Sequence, residues 1–164
     1  MRVLAVDPGY DRLGVAVMEK QSGKEKLIYS ACIETTRGDT LPRRLHELGV
    51  AFQKLLTTHH PDAVAVETLF FNKNQKTAIA VAEARGIVLY LAETAGCKIS
   101  EYGPQEVKVA VTGHGGSDKK AVTDMLFRLI KGVPEKAHDD EYDAIALAIT
   151  HLAHTPELAH TNTN

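Results

Sequence analysis

Two short apolar segments that each end in an acidic residue constrain this 164-residue chain more than any other feature. Residues 3–6 (Val-Leu-Ala-Val) are followed directly by Asp7, and residues 63–66 (Ala-Val-Ala-Val) by Glu67. A continuous apolar run of this kind is typical of a strand that is buried on both faces of a sheet. A carboxylate at the end of such a strand loses hydration, which is costly unless a cation pairs with it. The pattern therefore predicts two buried strands whose terminal acids have a cationic partner.

A second pair of acids opens a helix-like segment in the last quarter of the chain. Asp140 and Asp143 lie at the head of the apolar stretch 144–149, at a spacing that places both on one side of a helix. Hard cations such as Mg²⁺ take carboxylate oxygens, and two metals ~3.5–4 Å apart hold the attacking and leaving oxygens of a displacement at phosphorus. Two strand ends and a helix start are rigid enough to place such ligands. The four acids together predict a metal-dependent phosphoryl-transfer enzyme.

Each of these acids also has a purely structural interpretation. Asp7 precedes Pro8-Gly9, which is typical of a turn, and acids near residue 140 stabilise a helix N-terminus through its dipole. The combination, rather than any single residue, favours a shared site. His138, two residues before Asp140, is interpreted first as an exposed turn residue, with a metal ligand and a general base as alternatives.

The composition is that of an ordinary globular protein, with 44% hydrophobic and 24% charged residues. We expect one domain over residues 1–154 and a polar, disordered tail over 155–164. No apolar run approaches the ~18 residues that span a bilayer, and a charge at Asp7 argues against a signal peptide. The prediction is a cytoplasmic protein without a membrane segment, in which Cys32 and Cys97 serve as small apolar residues.

The net charge of -2 does not by itself indicate a nucleic-acid-binding protein. Residues 132–164 contain one lysine and six acids, a net charge of -5, so the preceding residues carry +3. Lys108 and Lys119 belong to a segment, 104–131, with a net charge of +2 that includes the glycine-rich loop 113–116. Such a pattern usually marks a solvated face, but backbone N–H groups of a glycine loop also approach phosphates closely. The charge distribution therefore permits phosphate binding without requiring it.

Periodicity and turn residues predict the order β-β-β-α-β-α-β-α-α-α. Three hairpin-linked strands followed by strands that alternate with helices predict an α/β fold, a mixed five-stranded sheet flanked by helices on both faces. The first and fourth strands should be neighbours, which is the ribonuclease H-like arrangement. Ser117 is predicted to be the N-cap of the fourth helix. The predicted strands are 2–7, 12–19, 26–35, 63–68 and 97–102, and the predicted helices are 41–57, 74–95, 104–111, 118–131 and 139–154.

Several ordered motifs resemble one family closely over residues 1–154. The resemblance is to RuvC, the bacterial Holliday-junction resolvases of the ribonuclease H-like fold. The motifs are Asp-Pro-Gly at 7–9, Glu67 with Phe70 and Lys73-Asn74 behind it, Ala84-Arg85-Gly86, Val107-Lys108, Gly113-x-Gly115 with Lys119, and Asp140-x-x-Asp143-Ala-x-Ala-x-Ala-Ile-Thr-His.

The resemblance implies a homodimer that binds four-way junction DNA and requires Mg²⁺ (or Mn²⁺), up to two ions per subunit. It implies symmetric nicks in two strands of like polarity, which leave 5′-phosphate and 3′-hydroxyl ends in recombination and repair. A branch-migration helicase complex of the RuvA and RuvB type is the implied partner, and the helix over 74–95 is the implied dimer seam.

The resemblance also implies roles for particular residues. Thr68 and Ala121 depart from the family pattern, since a Gln is common at each position. Phe70 is the implied base-stacking aromatic, although a core role is equally open for its neighbour Phe71. Asp139 is set aside in favour of Asp140 because Asp140 shares a helix face with Asp143. The implied catalytic and metal-binding residues are Asp7, Glu67, Asp140 and Asp143, and the implied DNA-binding residues are Phe70, Asn74, Arg85, Lys108 and Lys119.

Two other interpretations remain open from the sequence. One is a ribonuclease H-like nuclease that acts on an RNA/DNA hybrid or on pre-ribosomal RNA. The other is a catalytically silent scaffold that binds junctions or a helicase. The presence of all four acids favours an enzyme, and Phe70 together with the basic segment favours the junction nuclease.

Overall fold

The computed structural model describes residues 1–68 and 75–155. Within these residues the chain forms five strands and five helices in the order that the sequence predicts. The strands are β1 (Arg2–Asp7), β2 (Arg12–Gln21), β3 (Lys24–Glu34), β4 (Ala63–Glu67) and β5 (Lys98–Tyr102). The helices are α1 (Leu41–His59), α2 (Gln75–Thr94), α3 (Pro104–Thr112), α4 (Lys119–Leu129) and α5 (Asp139–His154).

The strands form one mixed sheet in the order β3-β2-β1-β4-β5. The β1, β2 and β3 strands pair antiparallel, whereas β4 runs parallel to both β1 and β5. The predicted neighbourhood of the first and fourth strands is thus confirmed. As a result, the ends of β1 and β4 lie at the same edge of the sheet.

Helices cover both faces of the sheet, which explains why β1 is apolar without alternation. Val3 and Ala5 pack into a core with residues of α4 and α5, and Leu4 and Val6 pack into a second core with residues of α1 and α2. All four side chains are fully buried. Because each fully buried Val or Leu side chain contributes about 1.5–3 kcal/mol, Val3, Leu4 and Val6 fix the central strand firmly between the two layers.

The fourth helix begins one residue later than predicted. Asp118, not Ser117, is the N-cap, and its carboxylate accepts a hydrogen bond from the backbone N–H of Ala121 at 2.8 Å. Ser117 is engaged elsewhere, since its hydroxyl lies 2.7 Å from that of Thr112 at the end of α3. The helix also ends earlier, because Ile130 is extended and buried.

Two further expectations concern the cysteines and the membrane. Cys97 is buried, as predicted, and Cys32 is partly buried. In the described part of the chain, no helix combines the length and the apolar character that a membrane span requires.

Candidate active site

Asp7 and Glu67 meet at the shared edge of β1 and β4. The last paired residues of these strands are Val6 and Val66, so each acid stands one position further along. Their side chains are hydrogen-bonded to each other. Burial, followed by the negative charges of Glu67, Asp143 and Asp140, raises the pKa of Asp7 to about 8. Asp7 therefore holds a proton at neutral pH when no cation balances the cluster.

The α5 helix brings the other two acids to the same edge. Both Asp140 and Asp143 are close enough to contribute to the electrostatic field at Asp7. Burial raises the pKa of Asp143, and the attraction of Lys119 counteracts that effect only in part. The structure thus brings together all four acids that the sequence predicts.

Lys119, at the start of α4, is a cation of this cluster. Its Nζ lies 3.4 Å from Asp143 Oδ2 and 3.4 Å from Asp139 Oδ2. Burial acts to lower the pKa of Lys119, but Asp143 and Asp139 outweigh it and raise the value. Asp139 therefore lies on the same side of α5 as Asp143, so the helix face alone does not favour Asp140 over Asp139 as a metal ligand, contrary to the argument from the sequence. Asp139 is 75% exposed, however, whereas Asp140 is among the charges that act on Asp7.

Both predicted lysines line a cleft together with two of the four acids, Glu67 and Asp143. The cleft has a volume of about 270 Å³. Its polar lining consists of Glu67, Asp143, Lys108 and Lys119. The remaining lining residues are Pro104, Val107, Val122 and Leu147. A phosphodiester in this cleft would lie beside two carboxylates and two ammonium groups.

Two residues of β2 contact Asp140, and the sequence analysis missed both. Arg12 Nε lies 3.7 Å from Asp140 Oδ2. Gly14 is the register partner of Asp7, and a Cβ built on it would lie 1.9 Å from the carbonyl oxygen of Asp140. The available signal was a glycine inside an otherwise apolar strand, which often marks a close approach of another backbone.

The donor set suits a hard divalent cation. Among the residues that the structure describes, no three His, Cys, Asp or Glu side chains are already drawn together as a metal cage. The acids instead interact with one another and with Lys119: Asp7 holds a proton and is hydrogen-bonded to Glu67, and Asp143 pairs with Lys119. Burial, together with the mutual repulsion of the four carboxylates, raises the pKa of Asp7, and carboxylates in such a setting are the oxygen ligands that a cation of Mg²⁺ type stabilises. The residues present therefore fit the group.

The remaining predicted residues are placed as follows. Arg85 Nη2 forms a hydrogen-bonded ion pair with Glu101 on β5, and the Arg85 side chain is 20% exposed. His138 is the N-cap of α5 and contacts Arg12 and Glu34. Phe70 and Asn74 lie outside the described residues.

Comparison with known proteins identifies relatives along nearly the whole chain. The family model "Crossover junction endodeoxyribonuclease RuvC" matches residues 3–151. A protein of that name from Brevibacillus brevis is 43% identical over 153 residues, which cover 92% of this chain and 91% of the relative. Another, from Syntrophomonas wolfei, is 40% identical over 152 residues, which cover 93% of this chain and 88% of the relative.

Two solved structures that resemble this chain are also Holliday junction nucleases. The T. thermophilus RuvC structure in complex with Holliday junction substrate superposes with a TM-score of 0.85 at 32% identity, covering 93% of each chain. The yeast mitochondrial Holliday junction resolvase Ydc2 has a TM-score of 0.70 at 12% identity, covering 92% of this chain and 77% of Ydc2, a likeness of fold alone. The predicted ribonuclease H-like fold is confirmed. This chain belongs to the RuvC family of crossover junction endodeoxyribonucleases.

Proposed function

We propose that the chain resolves four-way Holliday junctions in recombination and DNA repair. It does so by nicking two strands of like polarity symmetrically, which leaves 5′-phosphate and 3′-hydroxyl ends. The observation that carries the proposal is the convergence of Asp7, Glu67, Asp140 and Asp143 at one edge of the sheet, in a chain that matches the junction-nuclease family over residues 3–151.

A nuclease of this family requires a divalent metal, and we assign its ligation to the four acids. The ion would be Mg²⁺ or Mn²⁺, with up to two per subunit. When bound, such ions lower the pKa of the attacking water and stabilise the leaving 3′ oxygen. The protein supplies the ligands on rigid elements, two from strand ends and two from the first two turns of α5. In the metal-free protein Asp7 holds a proton at neutral pH. That proton would leave the Asp7 carboxyl group when Asp7 binds a metal ion, because a metal ligand must be the ionised carboxylate.

Positioning of the DNA falls to basic and aromatic side chains. We assign Lys108 and Lys119 to phosphate contacts because they line the cleft that also contains Glu67 and Asp143. We assign Phe70 to stacking on a base near the crossover. Base stacking and phosphate contacts orient the strand without reading its sequence.

Asn74 and Arg85 complete the proposed DNA-binding residues. Arg85 uses Nη2 for Glu101. A guanidinium carries five N–H donors in all, so a phosphate contact by Arg85 does not require that this ion pair breaks.

We further propose that the protein acts as a cytoplasmic homodimer through the α1–α2 face. Together α1 and α2 form a groove of about 620 Å³ with a mainly apolar lining. On or beside this face Ile79 and Tyr90 are each 70% exposed, which is unusual for large apolar side chains on one helix. Replacement of Tyr90 by Glu should yield a monomer in light scattering, whereas Ile28→Glu on β3 should leave the dimer intact. A branch-migration helicase complex of the RuvA and RuvB type is the expected further partner.

Strand-cleavage mapping on a mobile synthetic four-way junction tests the proposal. Reactions contain Mg²⁺ or EDTA, and a linear duplex and an RNA/DNA hybrid of matched sequence are run beside the junction. Paired symmetric nicks on the junction alone, dependent on metal, support resolution. Cleavage of the hybrid instead would keep the carboxylate site and overturn the substrate, and binding without metal-dependent cleavage would indicate a scaffold.

A further inference from the structure

The two proposed ligands on α5 are held by different elements. Asp143 lies 3.4 Å from Lys119 Nζ on α4, whereas Asp140 Oδ2 lies 3.7 Å from Arg12 Nε on β2. The Sγ atom of Cys32 on β3 is 4.0 Å from the same oxygen of Asp140. Asp140 is therefore oriented by the antiparallel half of the sheet, independently of the lysine that pairs with Asp143.

Arg12 is itself anchored on its other side. Its Nη1 lies 3.0 Å from His138 Nδ1, and His138 Nε2 lies 3.2 Å from Glu34 Oε1. Arg12 and Glu34 are register partners on β2 and β3. A guanidinium only donates hydrogen bonds, so Nδ1 of His138 accepts and its Nε2–H donates to Glu34. The contacts run from Glu34 through His138 and Arg12 to Asp140.

This arrangement is not a by-product of helix capping. His138 is the N-cap of α5, a position where a side chain commonly accepts a hydrogen bond from the first turn. Its side chain makes no such bond, and the first turn is held by its carbonyl oxygen, which accepts from the N–H of Glu141 at 3.0 Å. The imidazole is thereby left to contact Arg12.

The contacts have little to contribute to folding stability. The side chains of Arg12 and Asp140 are 40% and 33% exposed, and ion pairs at such exposure are weak because water screens them. The contacts instead fix the orientation of the side chains. The planar, rigid guanidinium of Arg12 places Nε beside Asp140 and Nη1 beside His138.

We propose that Arg12 is a positioning residue that orients Asp140 towards the metal site at Asp7, with His138 and Glu34 fixing Arg12 in that role. The proposal rests on the proposed function, because it takes Asp140 to be a metal ligand. Groups that orient a ligand from outside the coordination sphere typically change metal affinity about 10–100-fold when they are removed.

The direction in which metal affinity changes when Arg12 is replaced distinguishes a positioning role from a purely electrostatic one. Removing a positive charge beside a cation site strengthens cation binding by Coulomb's law, whereas removing the support of a ligand weakens it. Arg12→Gln removes both the positive charge and the planar guanidinium whose N–H groups contact Asp140 and His138. Arg12→Lys keeps the charge but lacks the planar fork that contacts two partners. Positioning predicts weaker metal binding in both variants, and electrostatics alone predicts tighter binding in the first and no change in the second.

The experiment is a calorimetric titration of Mn²⁺ into the full, DNA-free chain. We expect Arg12→Gln and Arg12→Lys to raise Kd about 10-fold, with Tm in EDTA close to that of the wild type. The Mg²⁺ concentration for half-maximal junction cleavage should rise by a similar factor. His138→Ala should weaken binding less, and adding it to Arg12→Gln should cause no further loss because both act through one chain of contacts. The exposed Arg43→Gln is the matched control and should bind as the wild type does.

Wild-type or tighter Mn²⁺ binding by Arg12→Gln would overturn the positioning role. Asp140→Asn, titrated in parallel, separates this from a failure of the proposed function. If Asp140→Asn weakens binding and Arg12→Gln does not, Asp140 is a ligand that needs no support from Arg12. If Asp140→Asn also binds Mn²⁺ as the wild type does, the ligand assignment itself is wrong, and the role of Arg12 fails with it.

Discussion

Gly14 on β2 lies directly beneath the backbone of Asp140, at a distance that no side chain at position 14 would permit. Its register partners are Asp7 on β1 and Cys32 on β3. A Cβ at position 14 would lie 1.9 Å from the Asp140 carbonyl oxygen and 2.4 Å from the carbonyl carbon. The absence of a side chain here lets the first turn of α5 reach the edge where Asp7 ends.

Replacing Gly14 with Ala should therefore displace the start of α5. Because the added methyl group meets backbone rather than a flexible side chain, we expect a loss on the order of 3 kcal/mol in the free energy of unfolding. Urea denaturation measures it. Gly49→Ala on α1 is the control, since its Cβ would lie 3.3 Å from only a methyl carbon of Ile87, and it should change stability by less than about 1 kcal/mol. Equal effects of the two substitutions would contradict the close contact.

The raised pKa of Asp7 has a consequence for stability in EDTA. The folded protein holds a proton at Asp7 up to about pH 8, whereas the unfolded chain releases it near the ordinary aspartate pKa of 3.8. Since the folded state binds more protons in this interval, stability should fall as the pH rises from about 4 to about 8. Asn at position 7 removes that cost, so Asp7→Asn should be more stable than the wild type at pH 8.

At about 1.36 kcal/mol per pKa unit, the rise in the pKa of Asp7 from 3.8 to about 8 corresponds to an upper bound of roughly 6 kcal/mol, so we expect a gain on the order of 10 °C in Tm for a chain of this size. Thermal denaturation in EDTA at several pH values measures it. The exposed Asp124→Asn on α4 is the control and should follow the wild type. A lower Tm for Asp7→Asn at pH 8 would show that the acids are balanced in the metal-free protein.

Removal of single acids should separate cleavage from binding. Asp7→Asn, Glu67→Gln and Asp143→Asn each delete a proposed metal ligand while leaving Lys108 and Lys119 in place. We expect each variant to lose junction cleavage and to keep junction affinity within a few-fold of the wild type. Cleavage assays and gel-shift titrations on the same junction measure the two quantities. Wild-type cleavage by Asp7→Asn would remove Asp7 from the catalytic set.

Phe70 and Phe71 form a natural pair of test and control. If Phe70 stacks on a base near the crossover, Phe70→Ala should reduce the cleavage rate more than junction affinity, because stacking orients the strand. Phe71→Ala should affect cleavage less. Single-turnover rates and binding constants decide between them, and unchanged turnover by Phe70→Ala would refute the stacking role.

The lysines of the cleft should contribute a salt-dependent part of the affinity. A lysine that neutralises one phosphate changes the slope of log K against log salt concentration by about 0.9 on duplex DNA. Lys108→Ala and Lys119→Ala should each reduce that slope by roughly this amount, whereas the exposed Lys24→Ala on β3 should not. Slopes equal to that of the wild type would indicate that neither lysine contacts phosphate.

Patterns with a short-range physical cause were predicted well. Both apolar runs became central strands because a strand buried on two faces needs apolar residues at every position, and Val3 and Leu4 point into different cores. The acids after these strands could be paired from the sequence since parallel neighbours end at one edge. Ser117 was the wrong N-cap because Ser and Asp cap comparably, and only the local path of the chain gives the role to Asp118.

Partners of charged side chains were not predictable in the same way. Nothing in the sequence near Arg85 indicates Glu101, since the two meet only when α2 packs beside β5. Likewise Arg12 meets Asp140 and His138 across more than a hundred residues of chain. A long-range ion pair produces no periodic pattern in the sequence, so its two members can be identified only when the helices and strands have been placed in space.

The sequence by itself determined the order of the elements, the mixed sheet and the four acids, because strand burial, helix periodicity and the residue types of a metal site are properties of short segments. Only the tertiary structure decided how the acids are balanced: a proton at Asp7 shared with Glu67, Lys119 at Asp143, and Arg12 at Asp140. The reason is that electrostatic energy depends on distance and burial in space, which separation along the chain does not specify.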